Sequence, residues 1–295
     1  MRMLRRRATS LLAAVGVAAA LLFASSSSAV AAAPSTCTGD LSNVPASLGT
    51  LSGVYSGNVT ISGACAVDAG PAVINGNLTV GAGSTLVAPF SFGDLTVTGN
   101  LLIQKGAGVI LGCNHDSFPC FDDTGAPPTL DNSISIGGNL IANQPLGLVL
   151  HNTAVLGNAI ENGGGGGVTC DSSSGVFAAF GSPPYIDQED GSVGGNLIMN
   201  GMKTCWLGTL RVDVGGNLIV GNNATADPDA MEVVSNTVHG NMICHGNSPA
   251  VQFGDSGGVS NQVFGNAIGE CGFNVLSDNP FGSPPGLTPI SVRAG

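Results

Sequence analysis

A short phrase recurs nine times along this chain: a β-branched residue, a spacer, Gly-Asn, then an aliphatic pair. Clear copies are Val97-Thr98-Gly99-Asn100-Leu101-Leu102, Ile136-Gly137-Gly138-Asn139-Leu140-Ile141, Val193 to Ile198 and Val214 to Ile219. Further copies centre on Asn58, Asn77, Asn158, Asn241 and Asn266, so that the repeated asparagines also include Asn196 and Asn217. Gly precedes Asn in all nine, and Ile or Val stands three residues earlier in eight, Tyr55 being the exception. Successive asparagines are 19, 23, 39, 19, 38, 21, 24 and 25 residues apart. A period of 19–25 fits one turn of a three-faced parallel β-helix. It is too long for hexapeptide solenoids and lacks the Leu-rich pattern of leucine-rich repeats. The two longest gaps are close to double a period, so each is expected to hide one degenerate coil. The expected fold is therefore all-β: a single right-handed parallel β-helix of about ten coils, its hand following the usual chirality of parallel crossovers.

The chemistry of the phrase supports this reading. Gly-Asn is the pair most able to adopt left-handed backbone, which a tight corner between strands demands. The Asn amide can bond to backbone or to the asparagines above and below, giving a structural turn column, while the flanking β-branched and aliphatic residues stack into a long apolar core. Hairpins with Asn-Gly turns are the competing reading, but here the order is Gly-Asn and no second hairpin signal follows. Both residues after Asn are apolar in most copies, the second being Ile141, Ile160, Ile198, Ile219, Ile243 and Ile268 in six successive ones. Neighbours on a strand point to opposite faces. Either a bulge turns both inward, or a loop covers the outer column, or Ile forms an exposed ribbon continuing from Thr60 and Thr79. Loop insertions are expected near 113–128 and 162–190. An N-terminal cap over 32–53, the helix proper over 54–272 and a cap or tail over 273–295 complete the division.

Residues 1–31 read as a cleaved signal peptide: Arg2, Arg5, Arg6 and Arg7, an uncharged stretch from Leu11 to Ala24, then Ala29-Val30-Ala31. The expected location is secreted, extracellular or at the cell surface. Four of the eight basic residues leave with such a signal, and four against nineteen acids make the mature formal charge −15. That charge excludes nucleic acid as a partner and disfavours polyanionic sugars unless a divalent cation bridges. The eight cysteines Cys37, Cys65, Cys113, Cys120, Cys170, Cys205, Cys244 and Cys271 follow the signal, and an even count in an exported chain favours disulfides. A coil touches only its neighbours, which points to Cys37–Cys65, Cys113–Cys120, Cys170–Cys205 and Cys244–Cys271, with some free thiols as the alternative.

With these corner phrases, the chain resembles the right-handed parallel β-helix (pectin-lyase-like) superfamily, and most of all the uncharacterised secreted bacterial β-helix proteins. Its Val-x-Gly-Asn-Leu-Ile copies are also similar to the short-coil solenoids of bactofilin-type polymers. The likeness spans roughly 54–270 and rests on corner and core residues, so it speaks for architecture and little for activity. Lyases of that superfamily remove a proton with a base, commonly Arg, beside calcium-binding carboxylates. Here only Arg211 and Arg293 remain, and Arg211 is expected to pair with Asp213 at the surface. The hydrolases cluster acids with a His and a basic sugar binder. Asp122-Asp123 and His239-Gly240 resemble those signatures only superficially, Asp122 and Asp123 lying in a loop and His239 at a corner.

No catalytic residue is therefore assigned and no cofactor is expected, calcium apart. Candidate calcium carboxylates are Asp187, Glu189 and Asp190, and Asp227, Asp229 and Glu232, both sets in polar, loop-like sequence where solvated acids are the rule. His115, His151, His239 and His245 are scattered, Cys113-Asn114-His115 with Cys120 reads as a disulfide loop rather than a zinc site, and Trp206 is expected to pack on a disulfide. The favoured function is a secreted structural or surface-interaction solenoid without catalytic activity. Its unknown partner would be an extracellular or cell-surface glycan or another copy of itself. The alternative is a carbohydrate-binding or polysaccharide-degrading β-helix, if an enzyme then a polysaccharide lyase or glycoside hydrolase, working in a groove beneath the 162–190 insertion. An enzyme requires acids, or an acid with Arg, converging outward on one face within about 5–10 Å. A structural protein calls for scattered acids and a smooth face.

Overall fold

A computed structural model describes residues 36–88, 93–112, 132–171, 174–254 and 259–274. The chain winds through three parallel sheets of ten, eight and nine strands, called here sheets 1, 2 and 3, in a β-solenoid of about nine turns. Each circuit runs sheet 3, the Gly-Asn corner, sheet 1, a second corner, sheet 2 and a third corner. Sheet 1 begins at Thr36–Cys37 and ends at Ala267–Gly269. Sheet 2 runs from Gly49–Thr50 to Met231–Val234, and sheet 3 from Gly53–Tyr55 to Gln262–Val263.

The short strands are specified by alternation. On sheet 3, the Ile or Val three residues before each Asn forms one buried inward column: Ile74, Val97, Ile136, Val155, Val193, Val214 and Val238. The residue just after Asn does the same on sheet 1, from Val59 through Leu78, Leu101, Leu140, Ala159, Leu197 and Leu218 to Met242. These columns and those of sheet 2 fill one continuous core.

The nine repeat asparagines stand one per coil at the corner between sheets 3 and 1. From Asn58 to Asn241 each Oδ1 accepts the backbone N–H of the next Asn at 2.8–3.0 Å. From Asn77 onward it also accepts that residue's Nδ2–H at 3.0–3.2 Å.

Left-handed backbone, expected at Gly-Asn, is absent there: none of the nine pairs has a positive φ. Glycine is required for space instead. A Cβ on Gly99 would lie 2.6 Å from Asn77 Oδ1 and 2.7 Å from Gly76 O, and one on Gly138 would lie 2.5 Å from Asn100 Oδ1. Left-handed residues recur instead at the other two corners, among them Gln144, Gly163, Gly201, Asn222 and Gly246 after sheet 1, and Asn152, Asp190, Arg211 and Ser235 after sheet 2.

The two long gaps hide no coils. Leu101–Ile103 pairs directly with Leu140–Asn143, and Ala159–Asn162 directly with Leu197–Asn200. Each gap is one circuit carrying an insertion. The second insertion contains the helix Gly175–Ala179, whose Val176 and Phe177 cover the outward apolar column Ala66, Val87, Ile110 and Val149 of sheet 2. Glycine makes room for it, since a Cβ on Gly147 would meet the Phe177 ring at 2.3 Å and one on Gly108 would meet Val176 at 2.7 Å. The insertion ends at the strand Tyr185–Glu189, earlier than the expected 190.

Three disulfides are described. Cys37–Cys65 and Cys244–Cys271 link neighbouring coils, and Cys170–Cys205 ties the insertion to the next coil. Cys113, Cys120 and the pairing expected of them lie outside the described residues, as do His115, Asp122, Asp123, Arg293 and residues 1–31. The disulfides indicate an oxidising environment. No described helix is long and apolar enough to cross a membrane.

The Ile column faces outward, half-buried from Leu102 to Ile243 and exposed at Ile268. Thr60, Thr79, Leu102, Ile141, Ile160, Ile198, Ile219, Ile243 and Ile268 pair in register on the outer face of sheet 1, partly covered by one another.

Candidate functional site

Outward positions on sheet 2 change character half-way along the stack. The column Ala66, Val87, Ile110, Val149 continues as Asp187, Gly208, Glu232 and Gln252. Two residues further along each strand, His151 pairs in register with Glu189 and Glu189 with Leu210. This brings the outward side chains of His151, Asp187 and Glu189 together at the edge of sheet 2 nearest sheet 3.

Their geometry is compact. His151 Nε2 lies 3.0 Å from Asp187 Oδ2. One potential ligand atom from each of His151, Asp187 and Glu189 lies within 4.8 Å of the other two. Arg211, at the corner one coil on, binds Glu189 Oε2 through Nη2 at 2.6 Å and grips Asp190 through Nε and Nη2 at 2.6 and 3.0 Å. The side chains of Glu189 and His151 are 0% and 2% exposed and that of Asp187 6%, against 16% for Arg211. Burying three carboxylates is costly without opposite charge, and the forked guanidinium supplies part of it. Gly112 lets the strand close up here, because a Cβ on it would lie 1.7 Å from His151 O.

Trp206 borders the cluster. A Cβ on Gly208 would meet its ring at 2.1 Å, its indole N–H donates to Glu232 Oε1 at 3.0 Å, and Tyr185 meets it edge-on with ring centroids 6.3 Å apart.

Several sequence expectations are corrected by this arrangement. Asp187 and Glu189 are not solvated loop acids but buried strand residues. Arg211 pairs with Glu189 and Asp190 rather than Asp213, whose Oδ1 lies 3.1 Å from His239 Nε2 while that imidazole stacks on Phe264. The carboxylate set Asp187, Glu189 and Asp190 is regrouped, with His151 joining the first two and Asp190 turned to Arg211. Asp227, Asp229 and Glu232 do not converge among the described residues. Asp227 Oδ1 accepts the Asp229 backbone N–H in an exposed turn, and Glu232 is buried beside Trp206.

His151 has no ligand-like neighbour close to it in sequence. The signal is phase: His151 and Glu189 each stand seven residues before a repeat Asn, Asn158 and Asn196. Glu161, three residues after Asn158, takes an inward position that Met199 and Val220 fill on the next coils. It sits in the core with Gln188 Nε2 donating to its Oε1, and burial raises its carboxyl to about 7 against the smaller opposing effect of that hydrogen bond.

A groove of about 370 Å³ lies at the other edge of sheet 2, against the start of the insertion. Its walls are Lys105, Gln144, Pro145, Leu146, Gly164 and Lys203, together with Gly106, Gly166 and Gly167, so no carboxylate lines it. The converging acids with Arg that an enzyme requires are present on sheet 2, but they are buried, bonded to one another and absent from the groove.

No family model, curated protein or solved structure matches this chain. The fold and the bridges define its class: a disulfide-linked parallel β-solenoid.

Proposed function

We propose that this is a secreted, non-catalytic structural or surface-interaction solenoid of the β-helix type, which works through the outer face of sheet 1. The observation that carries the reading is the outward, in-register run Leu102, Ile141, Ile160, Ile198, Ile219, Ile243 and Ile268, half-buried along its length and 45% exposed at Ile268. At about 4.8 Å per strand the run extends for roughly 29 Å. Asn143, Asn162 and Asn200 form a second outward column beside it, so apolar rows lie next to amide rows. A long apolar stripe edged by polar groups marks a contact surface. Its regular spacing suits a repeating partner, either an insoluble glycan or another copy of the chain. The export signal and the disulfides support a location outside the cytoplasm.

The test is a paired substitution, Ile160→Lys with Ile219→Lys, on outward, half-buried positions of sheet 1. The unaltered protein, freed of residues 1–31, should either co-sediment with insoluble peptidoglycan or chitin or self-associate in sedimentation velocity. The substituted protein should lose that behaviour with its far-UV circular dichroism unchanged. A protein that stays monomeric and unbound at all concentrations ends this reading.

A second reading, a carbohydrate-active protein, is favoured by the convergence of His151, Asp187, Glu189 and Arg211 on one outer face. Cleavage of any member of a glycan panel, with or without calcium, would establish it over the first.

A further inference from the structure

The polar cluster on sheet 2 gathers a buried imidazole, His151, and two buried carboxylates, Asp187 and Glu189, from adjacent coils. Asp187, Glu189 and Asp190 face one guanidinium, Arg211. Like charges crowded in a low-dielectric site repel, and a cation placed among them relieves that repulsion.

The donor set is that of a metal site. Imidazole nitrogen and two carboxylates, drawn from adjacent coils held in register, lie within 4.8 Å of one another. Zinc holds such ligands at about 2.0–2.2 Å, so its ligand atoms sit roughly 3–4 Å apart. Small side-chain rotations close the three onto one ion. Calcium takes about six to eight oxygens and has little use for an imidazole, whereas imidazole with carboxylate suits zinc and its transition-series neighbours. Arg211, by holding Glu189 Oε2 and Asp190, orients one ligand from behind.

We propose that His151, Asp187 and Glu189 form a buried binding site for one zinc-type divalent cation, which fastens successive coils across the outer face of sheet 2. This is independent of the role given to sheet 1.

The test uses the mature protein freed of metal by chelation and dialysed. Zn²⁺ should bind with a stoichiometry of one in calorimetry and raise the unfolding temperature, and Ca²⁺ at the same concentration should do neither. His151→Gln and Asp187→Asn, which keep side-chain size, should each weaken Zn²⁺ binding beyond the roughly 10–100-fold that changes behind a ligand cause. A check free of substitutions is Co²⁺ added to the unaltered protein, where nitrogen–oxygen ligation gives weak visible absorption without thiolate charge-transfer bands. The proposal is overturned if Zn²⁺ does not bind, if Ca²⁺ binds as well as Zn²⁺, if binding survives both substitutions, or if thiolate bands appear.

Discussion

At the corner between sheets 3 and 1, hydrogen and methyl are not interchangeable. Each repeat glycine lies against the asparagine one coil below, and the exception is Gly57, which a Cβ would leave with nothing within 4 Å. Gly99→Ala should therefore cost about 1–3 kcal/mol, as overpacking of a closed site does, while Gly57→Ala should be close to neutral. Urea midpoints of the two variants measure the contrast, and equal effects would show that the close approach is not what selects glycine. Glu161 makes the matching case in the core. Its carboxyl is raised to about 7 from an ordinary 4.5, so between these values the folded chain binds more protons than the unfolded one and stability falls as pH rises. Below pH 4.5 both states are protonated and the cost vanishes. Glu161→Gln should thus change little at pH 4.5 and stabilise the protein at pH 8 by about 3 kcal/mol. Denaturation of both proteins at the two pH values gives the answer; a difference that does not grow with pH would contradict it.

Among the elements, the insertion helix Gly175–Ala179 is too short to hold itself and depends on what it covers. Phe177 and Val176 close the apolar half of the outer face of sheet 2, and Cys170–Cys205 anchors the segment beside them. Phe177→Ala should cost about 3–5 kcal/mol of local stability. Because the coils beneath do not need the helix to pair, the loss should appear as protease cutting within 174–184 while the solenoid core stays intact. Global unfolding of this variant would mean that the insertion is part of the core instead.

The same elements explain what could be read from the residues alone. The circuit was legible because its corner glycine and asparagine are sterically obligatory, and so was the inward column three residues before each Asn. The number of coils was not, because a gap of 38 matches two short circuits as well as one decorated circuit. Only the missing Gly-Asn separates the cases. The sheet 2 cluster was hidden for a related reason. Asp187 and Glu189 follow a Gly-, Ser- and Pro-rich run and look solvated until they are counted backward from Asn196.

For the whole molecule, stability is a sum over coils and the faces between them. The chain of repeat asparagines runs the full length of one corner, and shorter chains support the other two near the C-terminal end. There Asn223 and Asn247 continue to Glu270, and Asn236 and Asn261 continue to Asn274. Each such bond adds about 1 kcal/mol net. Polar bonds thus tie coil to coil along one corner and, near the C-terminal end, along all three, around a mostly apolar interior.

A column of this kind ordinarily frays from its extremities, since an outermost layer has a neighbour on one side only. Cys37–Cys65 and Cys244–Cys271 stitch those two layers down. Loosening must then start in the body, where freeing one layer breaks two contacts at once. Heat, proteases or a pulling force would meet outermost described layers that are already fastened.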